Sequence, residues 1–283
     1  MRTGARRLIK DLVVNLGLGK PRDVAADYAI SITEAFGAHL CGVAFAYEPV
    51  VPPSVMGGIP ADVIDAQWAA SEGAANAAIA GFEAAAKRAG IAAEHRKLTA
   101  SIGGAGDLFG RLARRFDLAV TAQAEPKGSA AYGLVIEGAL FGSGRPVIVV
   151  PYIQKGGLKL DRVMVCWDGS RPAARAIADA MPFLSRSAAI DVVIVASGRE
   201  KSDEIPGVDM GEHLARHGLK IDVKRIVSTD VDVPNTILSQ AADSGADFIV
   251  MGGFGHSHLR EFVLGGATHG ILAAMTVPTL MSH

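Results

Sequence analysis

The chain has 283 residues, 49% hydrophobic and 20% charged, so it can bury real cores and lacks the composition of a disordered chain. Its formal net charge of −1 offers no basic field for nucleic acid, and no apolar run approaches the roughly 20 residues that cross a bilayer. At about 100–200 residues per domain, the length favours two domains.

The N-terminus, MRTGARRLIK, is basic, but no apolar signal core follows it. The two cysteines, Cys41 and Cys166, lie in apolar runs, where buried thiols are common. They argue against a disulfide framework and for a reducing, cytoplasmic setting.

The first predicted strand is 8–16. A Gly-Leu-Gly-Lys-Pro loop at 17–21 leads into a helix over 22–36, with Ala25, Tyr28, Ala29, Ile32 and Phe36 on one face and Gly37 as its stop. A second strand covers 39–46, and the Pro- and Gly-rich segment 47–60 is a loop. A long Ala-rich helix follows over 61–88, then a strand over 91–98. Gly103-Gly104-Ala105-Gly106 reads as a turn, because no Lys-Ser/Thr follows as a P-loop requires. A helix at 108–115, a strand at 118–122, a helix at 134–141 and a strand at 146–150 complete the first half.

After a polar boundary at 151–160 the pattern recurs. Strands are expected at 162–167, 189–196, 220–226, 248–251 and 277–281. Helices are expected at 174–181, 209–217 and 232–244, with Asp232 as cap and Pro234 in the first turn. The last helix, 261–274, is interrupted near Gly265. Alternating strands and helices, with continuously apolar strands, define an α/β fold: two tandem doubly wound domains, each a five-stranded parallel sheet of order 3-2-1-4-5. The domains are expected at 1–151 and 160–283.

In such sheets ligands bind beyond the carboxyl ends of the strands where the winding reverses, here between the first and fourth strands. In the second half those ends carry Asp168 and Gly252. Glycines let a backbone approach a ligand closely, and the helix start beyond Gly265 offers free N–H groups to a phosphate. The first half has Gly17-Leu18-Gly19 and Ala122-Gln123-Ala124-Glu125 at these places, and Glu137 near its last helix. One competent site is therefore expected, in the second half.

Gly252-x2-Gly255-x9-Gly265 and the strand VMVCWDGS (163–170) resemble the universal stress protein family in its tandem, two-domain form, over nearly the whole chain. The resemblance implies an adenine-contacting Asp168, with Val195 on the adenine side and Met251 and Gly252 near base and ribose. Gly255, Gly265, Gly266, Ala267 and Thr268 would surround the phosphates. Trp167 is a candidate for stacking on the base and His256 for phosphate contact. The implied ligand is ATP or AMP, with or without Mg, without efficient turnover; at most a slow ATPase is conceivable. Gly266 stands where nucleotide-binding members carry Ser or Thr, which removes a hydroxyl donor worth roughly 0.5–3 kcal/mol. Thr268 or Ser257 could compensate. The alternative is an apo scaffold for protein–protein interaction. The family also implies pairing through last strands, hence a pseudo-twofold monomer or a homodimer; the net charge and the lack of a long apolar run lead us to expect no nucleic acid or membrane partner.

Bland roles compete at each position. Asp168 could cap the following helix, Trp167 could pack in a core, and the glycines at 252, 253 and 255 could serve turns. His256 and His258 read as solvated loop residues without a third metal ligand, and His283 as a disordered terminal residue.

Overall fold

The computed structural model of the chain describes residues 9–49, 60–125, 130–197, 208–228, 232–253 and 267–283. They fall into two compact units, 9–145 and 146–283.

The first unit contains β1 (Asp11–Asn15), α1 (Val24–Phe36), β2 (His39–Tyr47), α2 (Ala61–Arg88), β3 (Ala93–Ala100), α3 (Ile102–Ala113), β4 (Leu118–Ala122) and α4 (Ala131–Gly142). Its strands are parallel in the order β3-β2-β1-β4. The second unit contains β5 (Val147–Val150), β6 (Arg162–Cys166), α5 (Arg171–Leu184), β7 (Ala189–Ser197), α6 (Val208–Arg216), β8 (Ile221–Ser228), α7 (Val233–Ser244), β9 (Phe248–Gly252), α8 (Ala267–Ala274) and β10 (Thr279–Ser282). There β8-β7-β6-β9-β10 are parallel in the expected 3-2-1-4-5 order, and β5 joins β10 antiparallel. The units part at 145/146, so the last strand of the first repeat groups with the second unit. Among the described residues no helix is long and apolar enough to cross a membrane.

Apolar continuity explains the central strands. Leu12, Val13 and Val14 of β1, Leu118, Ala119 and Val120 of β4, and Val163, Met164 and Val165 of β6 are all buried, as a sheet covered on both faces requires. Right-handed crossovers put α1 and α2 on one face of the first sheet and α3 and α4 on the other. Helix α1 starts on Asp23, whose carboxylate accepts from Ala25 and Ala26 N–H, and buries the expected face. Asp232 stands at the N-cap of α7, but its side chain makes no cap bond.

The two repeats share an anchor. Asp117 Oδ2 accepts from the N–H groups of Lys10 (2.9 Å) and Asp11 (3.1 Å), and Asp117 N–H donates to Asp11 O. Asp247 repeats this on Asp161 and Arg162, at 3.1 and 3.4 Å, and its N–H donates to Arg162 O. Each carboxylate thus ties the start of its repeat's first strand to the approach of the fourth.

Two sequence expectations are corrected. Residues 103–106 are not a turn but the first turns of α3, which starts at Ile102 rather than 108 and is capped by Ser101 through Gly104 N–H. The glycines are there for packing. A Cβ on Gly106 would sit 2.2 Å from Leu134 O, and one on Gly138 would sit 2.0 Å from Gly106 O, so α3 and α4 touch backbone to backbone. Helix α4 likewise begins at Ala131, ahead of the expected 134.

Gly138→Ala is expected to lower stability by about 1–3 kcal/mol or more, as overpacking does, in urea denaturation. A surface control, Gly73→Ala, meets nothing within 4 Å and should gain a few tenths of a kcal/mol, helix propensity favouring alanine.

Candidate functional site

The site builds on the β6/β9 pair. Their register runs Val163↔Phe248, Met164↔Ile249 and Val165↔Val250, so the residues after β6 lie alongside the end of β9. Trp167 continues the ladder on the other side, its N–H donating to Val193 O at 2.9 Å. It is half-buried. Asp168 is exposed, and its Oδ1 accepts from Ser170 N–H at 2.9 Å. The helix cap belongs to Ser170, whose Oγ accepts from Ala173 N–H at 3.2 Å. Asp168 therefore holds the turn and stands at the strand end without capping α5. Ser170 went unnoticed in the sequence, although Ser followed two residues later by Pro172 is a helix-start signature.

Gly252 ends β9. A Cβ there would lie 2.5 Å from Ala173 N and 2.8 Å from Pro172 C, so the glycine is what lets α5 begin against the strand end. That contact brings the Asp168 turn, the α5 N-terminus and Gly252 together at the switch point. Met251 is buried and pairs with Met281. Val195 lies half-buried on β7, opposite Ile226, one strand over from β6. Thr268 is buried in the first turn of α8. Ala267 opens α8. Gly255, His256, Gly265 and Gly266, together with Ser257 and His258, lie outside the described residues, and no geometry is given for them. His283 is ordered at the end of β10, with Nδ1 3.0 Å from Gly253 O, and Gly253 N–H donates to Ser282 O; the strand ladder holds the residue that the sequence analysis takes as disordered.

Burial first, and the Asp168 carboxylate second, push the Cys166 thiol up to about 12, so it stays protonated and unreactive at neutral pH. Among the described residues, no group of three or more His, Cys, Asp or Glu could hold a metal ion.

The first unit's crevice differs. Asp23 Oδ2 accepts from Gly17 N–H at 2.6 Å, folding the longer β1–α1 loop over the strand end. Lys20 Nζ pairs with Glu125 Oε1 at 2.6 Å, linking that loop to the segment after β4. Burial raises the Asp23 carboxyl above its usual value, opposed by the N–H groups of Gly17, Ala26 and Ala25.

These features sit on a doubly wound α/β fold, with glycine and carboxylate at the switch point of a parallel sheet. Residues 159–283 match the Universal stress protein family model, and this part of the chain belongs to that family. Universal stress protein Slr1230 of Synechocystis sp. is 26% identical over 142 residues, 48% of this chain and 46% of that protein; the chain therefore aligns with less than half of that relative's length. In structure, the chain is similar to a universal stress protein from Archaeoglobus fulgidus (TM-score 0.72, 17% identity, 95% of each chain). It is also similar to protein PA1789, functionally unknown, from Pseudomonas aeruginosa (TM-score 0.61, 12% identity, 96% of this chain and 92% of that one). At these identities the structures establish the shared fold.

Two expectations follow. Gly252→Ala should cost about 1–3 kcal/mol in denaturant titration, because it drives into the α5 backbone, whereas Asp168→Ala, losing one exposed turn bond, should cost less than about 1.5 kcal/mol. The raised Asp23 pKa means the folded state holds this proton more tightly than the unfolded chain. Its stabilising contribution is complete below the unfolded value of about 3.8 and is lost as pH rises through the folded value. Stability measured at pH 7 and again near pH 4 should shift in favour of wild type over Asp23→Asn on acidification; a shift the other way contradicts the assignment.

Proposed function

We propose that the second unit binds an adenine nucleotide, ATP or AMP, at the β6/β9 switch point, and that the protein acts in a stress response as a nucleotide-dependent binding protein without efficient turnover. The observation that carries this reading is the exposed Asp168 carboxylate beside Gly252, held there by the contact of Gly252 with the start of α5. A carboxylate at a strand end accepts from the N–H or hydroxyl groups of a base or ribose. In this reading Trp167 and Val195, the latter on β7, would serve the base side and the helix start at Ala267 and Thr268 the phosphate side. Gly255, His256, Gly265 and Gly266 complete the phosphate loop in this reading. With Gly266 in place of a hydroxyl residue, phosphate contact rests on backbone N–H groups and the dipole of α8, which favours modest affinity. Mg would accompany ATP through its phosphates. A cytoplasmic setting fits the two free thiols. A scaffold that binds other proteins and no nucleotide is the second reading, favoured by Gly266 and by the exposed Val63 at the start of α2.

Mass spectrometry of small molecules released from freshly purified protein separates the two. Stoichiometric ATP, ADP or AMP from wild type, absent from Asp168→Ala, is the expected result. Wild-type protein that is empty and fails to bind added Mg-ATP overturns the nucleotide reading in favour of the scaffold.

A further inference from the structure

Two histidines on α6 stand outside everything the nucleotide reading uses. His213 and His217 are four residues apart, and side chains at that spacing meet on one side of a helix. The helix packs inward through Gly211, where a Cβ would lie 2.9 Å from Val223 Cγ2 and 3.1 Å from Ile221 Cδ1, and through buried Leu214. Both histidines are exposed. Although α6 ends at Arg216, His217 stays on its last turn, because its N–H donates to Leu214 O at 3.0 Å. Gly218, at a φ of 77°, then turns the chain away, its N–H donating to Ala215 O at 2.8 Å. The backbone thus presents both rings on one ordered turn.

The ring geometry suits a shared ion. The two imidazole centroids lie 4.9 Å apart, with the rings at 70° to each other. With each nitrogen about 2.0–2.1 Å from a metal, two imidazoles at right-angled to tetrahedral positions on one ion have centroids roughly 4.5–5.2 Å apart. An edge-to-face ring contact has the same range, but it leaves the nitrogens unused. Among the described residues neither ring has a hydrogen-bond or ion-pair partner. The local charge agrees. Glu212 Oε2 offsets Arg216 by accepting from its Nη2 at 2.9 Å. Both histidines lie toward the C-terminus of α6, where the negative end of the helix dipole favours a cation. Imidazole nitrogen selects copper, zinc or nickel over magnesium or calcium. Among the described residues the pair stands short of the three or more ligands of a closed site, so water fills the remaining positions.

We propose that His213 and His217 together bind one divalent transition-metal ion, copper(II) more tightly than zinc(II). This site is independent of the nucleotide reading. Isothermal titration of the untagged full chain with copper(II) and with zinc(II), together with electron paramagnetic resonance of the copper-loaded protein, tests it. The tightest-bound copper ion is expected to show the nitrogen splittings of two imidazoles. His213→Ala and His217→Ala should each weaken it at least about tenfold, since even changes to groups that only support a ligand cost about 10–100-fold. Both side chains are exposed, so these variants should unfold with the wild-type midpoint, which keeps their binding results interpretable. The double variant His256→Ala/His258→Ala, which removes the other closely spaced histidines, should retain the ion, as should Asp168→Ala. AMP binding should ignore both α6 variants. The proposal is overturned if no copper binds at about millimolar concentration, if affinity is unchanged in both α6 variants, if the tightest copper carries fewer than two imidazoles, or if it is lost in the His256→Ala/His258→Ala protein. Failure of AMP alone would count against the nucleotide reading and leave this one standing.

Discussion

Each repeat depends on one aspartate that grips the beginning of its first strand. Asp117 and Asp247 each accept two backbone N–H groups from the residues opening β1 and β6, and each returns its own N–H to the same strand. A parallel pair brings together strands distant in sequence, and a one-residue slip would move every side chain to the opposite face of the sheet. The clamp fixes that register at the amino end, and apolar packing carries it along the strand. Burial raises the Asp247 carboxyl, opposed by the N–H groups of Asp161 and Arg162, which is the electrostatic cost of placing the clamp beneath the sheet.

What the clamp sets at one end appears as chemistry at the other. With Val165 fixed opposite Val250, the residues following β6 meet the end of β9. Gly252 then admits the start of α5 to within backbone contact, and Ser170 rather than Asp168 closes that helix. The carboxylate at the switch point is thereby left facing outward. In the first unit the same register leads to a different outcome. Asp23 ties a longer loop through Gly17 N–H, a Lys20–Glu125 pair links that loop to the segment after β4, and Asn15 Oδ1 is buried without a partner. Duplication preserved the frame, and the residues at the strand ends diverged.

Much of the frame was legible in the sequence because it rests on periodicity. The long helix falls at 61–88 as read, and the buried strands follow apolar runs. Helix α3 was misread because glycines normally signal turns; in Ile102–Ala113 they serve contact with α4, a tertiary demand that local propensity does not express. The site was legible only in part. Strand ends and the switch point singled out Trp167, Asp168 and Gly252 as candidates and the resemblance added Val195, but Gly252 has a packing role that spacing alone hides. His283 was misjudged because a terminal position says nothing of the ladder beside it.

Photoaffinity labelling with 8-azido-ATP, followed by peptide mapping of the modified residues, most directly tests whether the second unit holds the nucleotide. The account predicts label concentrated in peptides spanning 163–171, 193–197 or 248–268, competed away by unlabelled ATP and lost in Asp168→Ala. Competable label confined to the first unit, or label indifferent to Asp168, would contradict it.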